Sequence, residues 1–108
     1  AWLHDVWGSA AADLWAVGSA VLHWDGRAWT ELPGVGGYLY AVWGTARDDV
    51  WAAGSTGSPT QALLLHWNGT LWERRAVDVE ERLFALWGPG AADVWAAGDA
   101  GAVLRRVP

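Results

Sequence analysis

The chain contains no cysteine, no methionine and no lysine, and only one phenylalanine among its 108 residues. Without cysteine there is no disulfide framework and no thiolate chemistry, and no compartment is indicated either way. The missing methionine extends to the initiator, as expected of a processed product or a piece of a longer protein. Without lysine the basic charge is seven arginines, set against twelve acidic residues for a net charge of −5. Only Arg74-Arg75 and Arg105-Arg106 are paired bases. A basic patch that displaces counterions is therefore lacking, and nucleic acid is excluded as an expected partner. Long apolar runs are absent as well. Arginine, glycine and aspartate interrupt every one before it nears the ~20 residues of a membrane helix, so no membrane insertion is expected. The sequence also lacks the basic start, apolar segment and cleavage site of a signal peptide.

What is abundant is tryptophan. Hydrophobic residues make up 53% of the chain, enough for a core. Eleven residues are Trp, roughly eight times ordinary usage. Self-comparison explains them. The segment from Trp7-Gly8 through Asp13-Leu14-Trp15-Ala16-Val17-Gly18 returns as Trp43-Gly44 through Asp49-Val50-Trp51-Ala52-Ala53-Gly54. It returns again as Trp87-Gly88 through Asp93-Val94-Trp95-Ala96-Ala97-Gly98. The shared pattern is W-G-x4-D-(V/L)-W-A-(V/A)-G, with spacings of 36 and 44 residues. A second motif, H-W-(D/N)-G-x2-W, follows in two units, as His23-Trp24-Asp25-Gly26-Arg27-Ala28-Trp29 and His66-Trp67-Asn68-Gly69-Thr70-Leu71-Trp72. The third unit reads Ala102-Val103-Leu104-Arg105-Arg106 where Val21-Leu22-His23-Trp24 stand in the first. The difference in spacing falls mainly in the Gly/Ser/Pro stretch Ser55 to Thr60, where insertions are tolerated.

Each unit reads as four short strands. The first runs Leu3 to Trp7, Leu39 to Trp43 and Leu83 to Trp87, and is expected to end at Gly8, Gly44 and Gly88. The second is Asp49 to Ala53 and its equivalents. The third is Ala20 to Trp24 or Leu63 to Trp67, and the fourth Ala28 to Leu32 or Leu71 to Val77. Asp25-Gly26 and Asn68-Gly69 are two-residue hairpin signals, since both central positions of a type I′ turn need positive φ. Asp13, Asp49 and Asp93 are expected to fix the turn into the second strand by accepting a backbone N–H.

The first and second strands are apolar on both faces, whereas a two-sheet sandwich would alternate apolar with polar. The fourth is more polar, as an edge strand should be. A period of about 40–45 residues with four strands is that of propeller blades. The expected fold is thus all-β, with antiparallel blades at 1–37 and 38–81 and a partial third at 82–108. A ring needs about 4–8 blades, so this is either part of a longer array or a unit that closes with other copies.

These units resemble the W-G-x4-D-V-W-A-V-G / H-W-D-G-x-W repeats of propeller-like domains in large bacterial extracellular proteins, akin in layout to kelch and Asp-box propellers. The resemblance covers essentially the whole chain. The S-x-D-x-G-x-T-W pattern of the Asp box proper is absent, so no sialidase-type chemistry carries over. The resemblance implies a secreted or surface-exposed protein used for recognition.

Each candidate for chemistry has a plainer role. His23 and His66 recur once per unit, as structural residues do, instead of converging as three or four metal ligands. His4 stands where Tyr40 and Phe84 stand and is expected to pack as they do. The three motif aspartates offer one carboxylate each, too few for calcium. Asp78, Glu80 and Glu81 read as a solvated acidic loop. Ser9, Ser19, Ser55 and Ser58 read as turn residues with no base beside them, which leaves no nucleophile constellation. Asn68-Gly69-Thr70 matches a glycosylation sequon, but turn chemistry accounts for it. No catalytic residue, metal or cofactor is expected. Trp7, Trp15, Trp43, Trp51, Trp87 and Trp95 are expected in the core between blades. Trp24, Trp29, Trp67 and Trp72 lie in outer strands, where aromatic faces can stack on sugars. Two functions follow as alternatives: a non-catalytic scaffold that binds other blades or protein partners, and a multivalent carbohydrate-binding module. A third is an accessory part of a larger secreted enzyme.

Overall fold

The computed structural model describes residues 2–32, 37–56, 61–75, 77, 82–90, 93–99 and 103–106. They form three antiparallel sheets. The first contains β1 (Leu3–Ala10), β2 (Asp13–Gly18), β3 (Val21–Trp24) and β4 (Trp29–Leu32), in that order. The second repeats the order with β5 (Tyr38–Ala46), β6 (Asp49–Ser55), β7 (Ala62–Trp67) and β8 (Trp72–Arg75). The third is β9 (Leu83–Gly90), β10 (Asp93–Gly98) and β11 (Val103–Arg106), three strands among the described residues. Registers match from sheet to sheet. Trp7 faces Trp15, Trp43 faces Trp51 and Trp87 faces Trp95 across the first ladder. Trp15, Trp51 and Trp95 in turn face His23, His66 and Arg105 across the second.

The strands reach further than their sequences suggest. β1, β5 and β9 run through Gly8, Gly44 and Gly88 instead of stopping there. Beyond Gly8 and Gly44 the register shifts before Asp13 and Asp49. The glycine serves packing: a Cβ on Gly44 would lie 2.7 Å from the Asp49 carbonyl oxygen and 2.9 Å from the Trp7 ring. On Gly88 it would lie 2.7 Å from the Trp43 ring. The rings of Trp7 and Trp43 thus seat on the glycine of the next sheet, and any side chain there would unseat them.

The hairpin turns are also displaced by one residue. Asp25 N–H bonds the Ala28 carbonyl, so the tight connection centres on Gly26-Arg27 and not on Asp25-Gly26. Gly26 has φ 97° and Gly69 φ 100°. Asp25 Oδ1 accepts from the amides of Arg27 and Ala28, and Asn68 Oδ1 does the same for Thr70 and Leu71. The side chain closes the turn, so a positive φ is needed only at the glycine.

The core lies between sheets. One cluster joins Trp15, Val17 and Val21 of the first sheet to Leu39, Val42 and Leu63 of the second. The other joins Trp51 and Leu64 of the second to Leu83, Val94 and Ala96 of the third. Trp15 and Trp51 are fully buried. Burial of an indole contributes roughly 4–6 kcal/mol of transfer free energy, which conformational entropy opposes. Ala16, Ala52, Ala53 and Ala96 on the central strands are buried too, and their small side chains let neighbouring sheets approach closely.

Candidate functional site

The polar residues that recur in each unit meet at one end of its sheet. In the first, β2 begins at Asp13, and the Ser9 hydroxyl on β1 donates to Asp13 Oδ2. His23 on β3 reaches Asp13 Oδ1 at 2.7 Å through Nε2. The second sheet repeats this: Thr45 donates to Asp49 Oδ2, and His66 Nε2 lies 2.7 Å from Asp49 Oδ1. Arg75 donates to His66 Nδ1 at 3.4 Å, which assigns the His66 proton to Nε2 and its donation to Asp49. Each imidazole also lies on an indole, His23 4.4 Å from Trp15 and His66 4.4 Å from Trp51.

The third sheet makes the same clamp from another residue. Arg105 occupies the histidine position and donates to Asp93 Oδ1 from Nε at 2.9 Å and Nη2 at 2.8 Å. Its guanidinium lies 5.7 Å from the Trp95 ring. A cation over an aromatic face thus replaces an imidazole packed at a tilt on one.

Sequence reasoning missed the hydroxyl. Ser9 and Thr45 each stand four residues before the aspartate, inside the variable part of the first motif, where the third unit has Pro89. That offset was the available signal. Ser9 and Ser55 lie in strands, not turns, and Ser9 has an acidic partner instead of a basic one. Among the described residues, the bonds to Asp13 and Asp49 come from side chains and not from the backbone N–H expected.

The order of the three groups decides what they can do. A hydrolytic triad needs the hydroxyl on the imidazole and the carboxylate behind it. Here the carboxylate is in the middle, so the hydroxyl and the imidazole both donate to it. Burial works to raise the Asp13 carboxyl. Its bonds to His23 and Ser9, with the charges of His23 and Arg47, outweigh that and hold it below the usual carboxylate value. Such a group is a poor proton acceptor at neutral pH. No protein-family model, curated protein or solved structure matches the chain.

Beside the first clamp a cleft of about 210 Å³ opens between the first two sheets, lined by Asp13, His23, Arg47, Asp48 and Trp67. Among the described residues no three His, Asp or Glu side chains gather as a metal site. Asp78, Glu80, Glu81 and Ser58 lie outside the described residues. His4 packs 5.1 Å from Tyr40, and the Arg82 guanidinium caps Tyr40 at 5.2 Å.

The four outer tryptophans divide into two pairs. Trp67 and Trp72 are half-buried, packed 4.9 and 5.2 Å from Trp15 of the first sheet. Trp24 and Trp29 form the equivalent pair, 5.6 Å apart, with Trp29 exposed. Trp87 and Trp95, expected in the core, are exposed as well, because no described sheet lies beyond the third.

Proposed function

We propose that this chain is a non-catalytic β-propeller binding scaffold whose three sheets are successive blades. The observation that carries this is the clamp with its carboxylate at the centre. In the first two sheets the hydroxyl, carboxylate and imidazole that could have served catalysis satisfy one another, each set over a buried indole. The Trp-on-Gly seat, present at both junctions between sheets, supports the blade reading, since blades meet their neighbours in one repeated way. The likeness of the repeats to bacterial extracellular propellers supports a role in recognition outside the cell, with protein partners on the loop ends. Sugar stacking draws less support, because Trp67 and Trp72 are engaged by Trp15 and only Trp24 and Trp29 are left as a platform.

Two assays test this reading. Folded protein is screened on immobilised glycans and against chromogenic ester and glycoside substrates, and both are expected to give nothing above background. Glycan binding abolished by Trp29→Ala would replace the scaffold with a lectin. Turnover abolished by Ser9→Ala would make the chain an enzyme.

A further inference from the structure

We propose that a second copy of this chain docks head to tail on the first, with the β9–β11 face of one covering the β1–β4 face of the other. The inference rests on the blade reading and names the partner of the two faces that reading leaves uncovered.

The two junctions inside the chain show what each face accepts. The trailing face of a sheet presents a first-strand Trp, a second-strand Trp and an aliphatic third-strand residue. On the first sheet these are Trp7, Trp15 and Val21; on the second, Trp43, Trp51 and Leu64. The third sheet presents the same set, Trp87, Trp95 and Val103, to solvent. Leu64 is 2% exposed and its equivalent Val103 is 63%, while Trp87 is 62% exposed. These three residues border a hollow of about 120 Å³ with an almost wholly apolar wall. The leading face is mismatched in the same way at the other end of the stack. Val42 is 5% exposed and its equivalent Val6 is 60%, and Leu39 is buried where Leu3 is exposed.

The chain therefore carries one half of the junction at each end, and the halves fit each other by the rule both internal junctions follow. Trp87 of one copy seats on Gly8 of the other, as Trp7 does on Gly44 and Trp43 on Gly88. Trp95 meets Trp24 and Trp29, as Trp15 meets Trp67 and Trp72. Two exposed apolar faces on one small protein are a surface that association buries. Two copies bring six sheets, inside the range of about 4–8 that closes a ring. Complementary faces that differ from each other make the contact heterologous, so it forms a closed pair only where the rotation returns on itself.

One feature resists docking. Leu14 Cδ2 lies over Gly8, 2.2 Å from where a Cβ would stand, in the place the tryptophan ring takes at the other two glycines. The equivalent residues Val50 and Val94 are a methylene shorter. Leu14 must turn aside for Trp87 to seat, and a valine at that position removes the obstacle.

The test uses the intact chain and light scattering after size-exclusion chromatography, with near-ultraviolet circular dichroism to confirm folding. Wild type is expected at twice its 11.6 kDa chain mass. Val6→Glu and Trp87→Glu, both at exposed positions, are each expected to give folded monomers. An equimolar mixture of the two is expected to recover dimer, because one undamaged leading face meets one undamaged trailing face. Leu14→Val is expected to lower the dimer Kd roughly threefold to tenfold. A wild-type chain that stays monomeric at every concentration overturns the proposal. So does a dimer lost in Trp87→Glu but kept in Val6→Glu, which would pair like faces. Neither result touches the scaffold reading, which stands or falls on the glycan and substrate assays.

Discussion

The Trp7 ring lies over the α-carbon of Gly44 so closely that a single methyl group there would stand 2.9 Å from its edge. The contact joins the first strand of one sheet to the first strand of the next. It leaves no room for any other amino acid at position 44. Gly44→Ala is expected to cost about 1–3 kcal/mol of unfolding free energy, the usual range for overpacking a tight site. Urea denaturation measures it, and a loss within error of zero would mean that the ring does not seat as described.

The clamps should differ in strength with their burial. Asp49→Ala strands the half-buried His66 donor, along with the exposed Thr45 hydroxyl, and is expected to cost about 1–3 kcal/mol. Asp93→Ala removes an exposed ion pair with Arg105, worth less than about 1 kcal/mol. Equal losses in the two variants would contradict the assignment of the His66–Asp49 bond as a part-buried one.

Acid should act on the first clamp in a defined direction. Asp13 titrates below its ordinary 3.8 in the folded chain. Its stabilisation is complete above that ordinary value and is lost as pH falls through the lower, folded one. Asp25, held by the amides of Ala28 and Arg27, titrates low as well and adds to the same limb. Urea midpoints taken from about pH 5 down to about pH 2 are expected to fall more steeply for wild type than for Asp13→Asn. Parallel curves would remove Asp13 from the acid response.

Equivalent tryptophans should not be energetically equivalent. Trp51→Ala empties a fully buried site and is expected to cost about 3–5 kcal/mol. Trp95→Ala, at a partly exposed site, is expected to cost less than half of that. Both are to be measured in a Val6→Glu background, so that association does not contribute. A Trp95 loss as large as that of Trp51 would show the third sheet to be covered in the monomer.

Much of the architecture was legible in the residues. Motif spacing, apolar strands and the Asp-Gly and Asn-Gly turns give antiparallel four-stranded sheets, because each of these acts within one hairpin. The glycine after each first-strand Trp was legible as a glycine but misread as a stop, since its reason is a ring from another sheet. The Asp25 and Asn68 turns moved by one residue because a side-chain oxygen took the place of a carbonyl. Ser9 and Thr45 were hidden because Ser and Thr look unrelated until both are seen donating to the same carboxylate position. The exposure of Trp87 and Trp95 was not legible in the residues around them. Their local sequence is that of Trp43 and Trp51, and what differs is the neighbour.

The seat of tryptophan on glycine also bears on the shape of any longer assembly of these units. Both internal junctions use it with nearly the same clearance, 2.9 and 2.7 Å to the hypothetical Cβ. A contact repeated between successive sheets favours a similar turn from each to the next, as the blades of a ring require. In the ring proposed above, the number of sheets that complete one circuit then follows from how deeply an indole settles onto a bare α-carbon, not from how many repeats the gene happens to encode.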